Sequence, residues 1–187
     1  MVRALDVAQY MLYQLYLVGD NVTNLKLQKL LYFAQAEYLV RNKGRKLFKE
    51  RLLIHYRYGV IVKEVYVRYS CFGRATIDDA NLREDYWPSY AHDEEVRQAI
   101  NRALEKYMSI SACELARIIA DAKPVREAPK LDKNDFTGVI STDAMYEYYD
   151  GLRREREALL AKMEEKEAID ENQDDSQLHI AGHSLNG

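Results

Sequence analysis

Residues 25–40 constrain the fold more than any other part of the sequence. Read as a helix, this segment carries apolar side chains on almost every side, and its polar exceptions include Lys26, Lys29 and Gln35. A helix with so little polar surface has to be covered by other elements on several sides. We therefore expect a compact multi-helix domain, mainly α, around a buried central helix.

The spacing of apolar residues predicts further helices before and after this segment. Residues 4–17 and 93–107 place apolar side chains at i, i+3 and i+4, and Ser111 begins a capping-box pattern in front of another helix. Pro124 should stop that helix, and a final helix should start near Ser141. Helices would then account for most of the chain.

Residues 52–62 differ from the rest because aromatic and β-branched side chains are concentrated there. We expect at most a short extended segment near 54–62, followed by a short helix. The stretch that contains Pro129 and Gly138 is predicted to be a loop, and residues 74–91 are predicted to be an irregular connection.

Charge and hydrophobic density divide the chain into three parts. Residues 1–151 have the apolar periodicity of a folded helical domain. Residues 152–170 are rich in Arg, Glu, Ala and Leu and predict a charged helical extension. Residues 171–187 lack hydrophobic density, so they are predicted to be a flexible acidic tail.

The overall composition is that of a globular protein without a membrane segment. The 187 residues are 48% hydrophobic, and no run approaches the roughly 18 apolar residues of a membrane-spanning helix. The first residues lack the apolar core of a signal peptide. Cys71 and Cys113 are too few for a disulfide framework or a cysteine zinc centre. We expect a cytoplasmic protein without cofactor or metal.

Positive charge is concentrated in one region, although the formal net charge is only −3. Residues 25–75 contain 12 Lys and Arg against 3 Asp and Glu, a local charge of +9. Such asymmetry indicates either an anionic partner or contact between oppositely charged parts of the protein. The chain also has 15 Tyr against 4 Phe and 1 Trp, and tyrosine suits core edges and protein interfaces.

Motifs of catalysis are missing from the sequence. It contains no P-loop, no H-E-x-x-H and no G-x-S-x-G pattern. A Cys71–His55 nucleophile pair and a cation site at Asp78, Asp79 and Asp85 are weaker readings than a buried cysteine, an interface histidine and an ordinary acidic loop. We therefore do not expect an enzyme.

The basic region also allows a nucleic-acid reading, because arginine and lysine alternate with tyrosines that stack on bases in some proteins. However, its densest cations, residues 41–51, follow a buried helix, and no recognition helix is evident. We rank a protein-binding surface above nucleic acid.

Residues 25–36, LKLQKLLYFAQA, strongly resemble the opening signature of the Panacea domain, a family that includes SocA-like and phage-associated GepA-like proteins. Residues 56–62, YRYGVIV, resemble the later family pattern of aromatic, basic, aromatic, Gly-Pro-Val and valine. The resemblance covers about residues 4–152. The motif residues with a structural role would be Lys26, Leu27, Gln28, Lys29, Leu30, Tyr32, Gln35 and Gly59.

This chain departs from the family pattern at four positions. Val60 stands where the family has the proline of Gly-Pro, and Lys63 stands where a proline often opens the next helix. Asp121 and Val125 stand where the family commonly has the His of Thr-His and the Trp of Pro-Trp. The chain is therefore a divergent member by this resemblance.

The resemblance implies a mainly helical antitoxin that binds and neutralises a cognate protein toxin, typically encoded in the adjacent gene. SocA-like members deliver the toxin to a AAA+ protease, so a proteolysis adaptor is the first alternative and a nucleic-acid-binding regulator the second. We expect the partner to be contacted by tyrosine anchors and by arginines that supply directional hydrogen bonds. These residues are Tyr56, Arg57, Tyr58, Tyr66 and Arg68.

One further expectation concerns how the partner-binding segment is held. Lys26, Lys29 and Gln35 are polar side chains on an otherwise apolar helix. We expect them to anchor residues 56–62 through hydrogen bonds to its backbone.

Overall fold

A computed structural model describes residues 1–78, 93–133 and 135–183 of the chain. These residues are mainly α-helical, as predicted, with a small four-stranded antiparallel sheet. The chain forms two compact units, Met1–Tyr148 and Tyr149–Gly187. The helices are α1 Ala4–Leu17, α2 Asn24–Arg41, α3 Lys63–Arg68, α4 Glu94–Tyr107, α5 Ala112–Asp121, α6 Lys123–Arg126 and α7 Thr142–His183, with a 3-10 turn at Ser70–Phe72; the strands are β1 Leu52–His55, β2 Gly59–Val62, β3 Lys130–Lys133 and β4 Phe136–Val139.

Helix α2 is in contact with α1, α3, α4, α5 and β2. It begins after Thr23, whose hydroxyl accepts a hydrogen bond from the backbone N–H of Lys26 at 3.3 Å. Phe33 stacks on Tyr107 of α4 with ring centroids 3.8 Å apart. The apolar side chains along α2 are buried, and they are Leu27, Leu30, Leu31, Tyr32, Phe33, Ala34, Ala36, Tyr38 and Leu39.

The sheet is larger than the sequence predicts. Its strand order is β2-β1-β4-β3, with Leu53 opposite both Ile61 of β2 and Val139 of β4. The expectation of at most a short extended segment near 54–62, with a loop around Pro129 and Gly138, is therefore corrected. Strand β4 pairs with the distant β1, and β3 pairs with β4, so these two strands join the sheet through a long-range contact that local sequence does not indicate.

A glycine allows β4 to lie close to β1. A Cβ atom on Gly138 would be 3.1 Å from Cδ1 of Ile54 and 3.3 Å from the carbonyl oxygen of Pro129. Both distances are shorter than ordinary van der Waals contact. A side chain at this position would need the end of the Ile54 side chain and the Pro129 carbonyl to move by a few tenths of an ångström.

Side-chain caps determine where α4 and α5 begin. The Asp93 carboxylate accepts hydrogen bonds from the backbone N–H groups of Glu95 and Val96 at 3.1 and 3.3 Å. The Ser111 hydroxyl accepts one from Glu114 at 3.2 Å, as in the predicted capping box. The predicted connection before Asp93 lies outside the described residues from position 79 onward.

Helix α7 continues to His183 and so includes residues for which the sequence predicts a flexible tail. Over the whole of α7 beyond Gly151, glutamate, alanine and leucine are frequent, and neither proline nor glycine occurs between Gly151 and Gly182. These residues favour helical backbone even without an apolar face. Within the described residues, no helix combines the length and hydropathy needed to cross a membrane.

The loop between α2 and β1 is held by Gln35, a buried residue of α2. Its side-chain oxygen accepts hydrogen bonds from the backbone N–H groups of Leu47 and Phe48 at 3.1 and 3.3 Å. Both of these residues are buried. Gln35 therefore supplies acceptors for two N–H groups that are removed from water.

We expect Gln35→Leu to lower the free energy of unfolding by about 2 kcal/mol or more, because two buried N–H groups lose their acceptor. Gln98→Leu is the matched control, since Gln98 is exposed and its amide bonds only to Glu94 and Arg102 at the surface of α4; it should change stability by less than about 0.5 kcal/mol. Urea unfolding followed by circular dichroism measures both. Equal stability of the two variants would contradict this role of Gln35.

Candidate protein-binding site

The outer edge of β2 is hydrogen-bonded by side chains of α2 instead of by another strand. The Lys29 ammonium donates to the carbonyl oxygens of Tyr58 at 2.6 Å and Val60 at 2.8 Å. The Gln28 side-chain oxygen accepts from the backbone N–H of Val62 at 2.8 Å. Backbone groups that point away from β1 are therefore satisfied by two neighbouring residues of one helix.

Hydrogen bonds from the same face of α2 also connect its first turn to α3. The Gln28 amide nitrogen donates to the Asn24 side-chain oxygen at 3.0 Å, and the Asn24 amide nitrogen donates to the Tyr66 carbonyl at 3.0 Å. Asn24 and Gln28 are buried. This chain of amides fixes the position of α3, which carries the Tyr66 ring.

Gly59 lies at the end of the β1–β2 turn, directly against Lys29. Its φ angle is +67°, in the region that side-chain-bearing residues rarely adopt. A Cβ atom there would lie 3.6 Å from the Lys29 ammonium nitrogen. The glycine therefore provides the backbone conformation that brings the two carbonyls to one ammonium group.

Lys29 is a fully buried amine. Burial lowers its pKa from 10.5 to about 8, because the protein interior solvates the ammonium ion less well than water does. Two carbonyl oxygens stabilise the charged form, but among the described residues no carboxylate pairs with it. At neutral pH the hairpin is thus attached to α2 by a charged group.

Above this anchor, the β1–β2 hairpin and α3 bring together His55, Tyr56, Arg57, Tyr58 and Tyr66, here called the hairpin cluster. The His55 ring is the common neighbour of the three phenols. Its centroid lies 4.9 Å from that of Tyr56, 4.7 Å from that of Tyr58 and 6.1 Å from that of Tyr66. The cluster is therefore a packed group of rings with a single imidazole at its centre.

Hydrogen bonding determines the tautomer of His55. Its Nδ1 accepts a hydrogen bond from the backbone N–H of Arg57 at 3.1 Å, so the proton of the neutral ring is on Nε2. Burial is the main cause that lowers the pKa of His55, and the nearby Arg57 and Lys29 charges lower it further, against an opposing effect of Asp135. The ring is thus neutral at physiological pH.

The arginine of the cluster contacts two phenols. The Arg57 guanidinium carbon lies 5.6 Å from the centroid of the Tyr56 ring, within the range of a cation–π contact. Its guanidinium group also hydrogen-bonds to the Tyr58 side chain. Arg57 is exposed, so these contacts orient the guanidinium without removing it from solvent.

The hydroxyl groups of Tyr58 and Tyr66 are joined by a hydrogen bond with opposite effects on the two pKa values. This bond is the main cause that lowers the pKa of Tyr58, with Arg57 adding to it. Burial, followed by the same bond, raises the pKa of Tyr66. The bond therefore favours the ionised form of Tyr58 and the neutral form of Tyr66.

Three residues that the sequence did not predict to be part of the site lie at the border of the cluster. Phe136 meets the His55 ring edge-on at 5.8 Å, and Lys63 lies 5.7 Å from the centroid of Phe136. The carbonyl oxygen of Asp135 accepts the backbone N–H of Tyr56 at 3.0 Å. Phe136 and Asp135 reach the cluster only through the β1–β4 pairing, and no local pattern in the sequence signals this pairing.

Four of the five predicted partner-binding residues meet in the cluster, and Arg68 does not. The Arg68 guanidinium carbon lies 5.2 Å from the centroid of the buried Tyr69 ring. Arg68 is exposed and contacts the Tyr69 ring, and Tyr56 of the cluster is 61% exposed and available to a partner.

Of the three residues predicted to anchor residues 56–62, only Lys29 is hydrogen-bonded to that segment. Gln35 bonds to the loop before β1, and the Lys26 ammonium lies 3.4 Å from the Asp20 carboxylate. Gln28 supplies the bond that was not predicted. The motif residues Leu27, Leu30 and Tyr32 are buried in the core.

The positions of the residues give little support to a Cys71–His55 nucleophile pair or to a cation site at the three aspartates. The rings of Tyr56, Tyr58, Tyr66 and Phe136 contact the His55 ring, its Nδ1 is bonded to the Arg57 backbone, and Cys71 is exposed in the 3-10 turn after α3. Of the three aspartates considered as cation ligands, Asp79 and Asp85 lie outside the described residues.

Several cations of the basic region have acidic partners in the structure. Arg45 pairs with Glu95 of α4 at 2.8 Å, and Arg41 lies 3.9 Å from Glu37, which also pairs with Lys106 of α4. Part of the local positive charge is thus used within the domain to join α2 and the following loop to α4.

Comparisons of the chain with protein-family models, with curated proteins and with solved structures found no match.

The buried amine predicts a pH dependence of stability. Between pH 8 and 10.5 the unfolded chain binds the Lys29 proton and the folded chain does not, so the free energy of unfolding should rise with pH. The rise is at most about 3 kcal/mol, at 1.36 kcal/mol per pKa unit. Tyr107, whose pKa burial raises to about 12, has the opposite effect only above about pH 10. Urea unfolding at pH 7.5 to 9.5 measures the slope.

Lys29→Met should abolish this rise, because the buried proton-binding group is gone. Lys26→Met is the matched control on the same helix and should retain it, since Lys29 stays in place. A slope that is the same in wild type and Lys29→Met would show that another group causes it.

Proposed function

We propose that this protein is an antitoxin of the Panacea type, which binds and neutralises a cognate protein toxin by direct contact. The proposal rests on the resemblance of α2 and the β1–β2 hairpin to that family, and on the hairpin cluster as a surface suited to a protein partner. In this proposal α2 is the central element of the domain. The protein acts in the cytoplasm, where it binds the protein product of a neighbouring gene.

The observation that carries the proposal is the combination of an exposed cluster with a rigid support. Tyr56 and Arg57 are exposed, while the backbone beneath them is hydrogen-bonded to buried Lys29 and Gln28. Side chains that are ordered before binding lose little conformational entropy when the complex forms. Tyrosine and arginine on such a support have the properties of interface hot spots.

A protein partner fits this surface better than a nucleic acid does. Of the cations in residues 25–75, Lys29 is buried, and Lys26, Arg41 and Arg45 lie next to carboxylates. Nucleic-acid affinity depends on the number of cations that are free to neutralise phosphates. The phenols of the cluster also contact one another and His55, which leaves few open faces for successive bases.

Co-expression with the product of the adjacent open reading frame tests the proposal. We expect that product alone to arrest growth, co-expression to restore growth, and the two proteins to co-purify. If the partner's level instead falls in a manner that requires a AAA+ protease, the protein is an adaptor. If the two proteins neither associate nor counteract each other, the antitoxin proposal is wrong.

Tyr56→Ala combined with Arg57→Ala tests the binding site itself. We expect it to weaken partner binding by about 30-fold or more, the effect of removing a hot spot of about 2 kcal/mol. Tyr16→Ala is the matched control, because Tyr16 is 62% exposed, much like Tyr56, but lies near the end of α1. Binding by calorimetry and growth rescue are the two measurements.

Equal binding by the double variant and the Tyr16→Ala control would place the interface elsewhere on the protein. A fluorescence titration with single- and double-stranded oligonucleotides over a salt series examines the nucleic-acid alternative. Affinity that falls steeply with salt and depends on Arg57 would favour that alternative.

A further inference from the structure

The second compact unit, Tyr149–Gly187, contains a row of apolar side chains that face solvent. Leu152 is 43% exposed, Leu159 60%, Leu160 46% and Met163 53%. These four residues are here called the α7 stripe. At 100° per residue they fall within an arc of roughly 100°, so they form one face of the helix.

The spacing of the stripe is that of a two-helix interface. Leu152, Arg156, Leu159 and Met163 follow one another at steps of four, three and four residues, which is the alternation of the core positions of a coiled coil. Arg156 is therefore the one charged residue in an otherwise apolar row. It is exposed, and it takes part in no ion pair among the described residues.

Other charges of this helix are already paired within it. Asp150 accepts hydrogen bonds from Arg153 and lies 2.5 Å from the Arg154 guanidinium, and Arg153 also bonds to Glu157 at 2.8 Å. Glu155 and Lys162, in contrast, have no ion-pair partner among the described residues. They border the stripe on one side, seven positions apart.

We propose that the α7 stripe binds the same stripe of a second copy of this chain, with the two helices antiparallel. In a parallel pair in register, Arg156 would face Arg156 of the second copy inside an apolar interface. Like charges at such a position repel each other strongly. The antiparallel arrangement avoids this contact.

The antiparallel arrangement also satisfies the charges that the single chain leaves unpaired. With the twofold axis between residues 157 and 158, Leu152 packs on Met163 of the second copy and Arg156 on Leu159. On the flank of the interface, Glu155 then faces Lys162, and the symmetry of the pair repeats this contact. The second copy therefore matches the spacing of the apolar side chains in the stripe and supplies opposite charges at its flank.

The interface is short, so association should depend on concentration. Twelve residues from Leu152 to Met163 bury less surface than a standard protein interface. We expect sedimentation velocity between roughly 5 and 500 µM to show the weight-average mass rising from one chain, 21.8 kDa, toward two. A mass that stays at one chain throughout this range would overturn the proposal.

Leu159→Glu in the full-length chain should weaken association by about tenfold or more, because it places a carboxylate in the apolar row. Ala161→Glu is the matched control, since Ala161 is exposed on the opposite face of α7. Circular dichroism confirms that both variants keep their helix content. Equal masses for the two variants at every concentration would show that the stripe is not the interface.

Cross-linking determines the orientation. In a background with Cys71→Ser and Cys113→Ser, we expect a short bismaleimide to join Leu152→Cys to Met163→Cys when the two variants are mixed. Each variant alone should give little dimer, because identical positions lie about 16 Å apart along antiparallel helices at 1.5 Å per residue. Efficient cross-linking of each variant alone would show a parallel pair and overturn the proposal.

This inference does not depend on the antitoxin function. If wild type is monomeric and Leu159→Glu reduces binding of a partner protein, the stripe is a site for that partner and the self-association proposal is wrong. If the adjacent gene product does not bind but the mass rises with concentration, the function is wrong and the association stands.

Discussion

The bond between a buried ammonium and two backbone carbonyls determines how the site is built. Lys29 holds Tyr58 and Val60, and the neighbouring Gln28 holds Val62, so one turn of α2 takes the place of a strand at the edge of β2. The hairpin then positions Tyr56 and Arg57, and α3 positions Tyr66. Lys29 is costly to bury, and its lowered pKa is the measure of that cost. Its two bonds offset part of the penalty and fix the hairpin in one place.

Much of the helical part of the fold is predictable because its causes are local. The apolar period over residues 4–17 and the cap at Ser111 depend on residues within a few positions of each other, and α1 and α5 appear where these patterns predict them. The strand β4 has no such local cause. It pairs with β1, more than 70 positions earlier, and β3 joins the sheet by pairing with β4; periodicity contains no information about a partner as distant as β1.

The residues of the site also differ in whether the sequence could identify them. Tyr56 and Tyr58 could be identified from their composition and neighbours, because a hairpin turn necessarily presents them together. Phe136 could not, since only the β1–β4 register brings it to His55. Arg68 lies outside the cluster. Spacing along α3 suggests that it belongs with Tyr66, but the helix turns its guanidinium toward the ring of Tyr69.

The arrangement at β2 also limits how the sheet can grow. A free strand edge is a template on which another chain can add a strand, and this is a common route to aggregation and domain swapping. On the β2 side the carbonyl groups of Tyr58 and Val60 are bonded to Lys29 and the N–H of Val62 is bonded to Gln28, so an incoming strand cannot pair with these groups. The remaining edge, β3, carries Lys130 and Lys133 in a four-residue strand. The domain thus resists edge-to-edge polymerisation on one side by side-chain occupancy and on the other by charge and shortness.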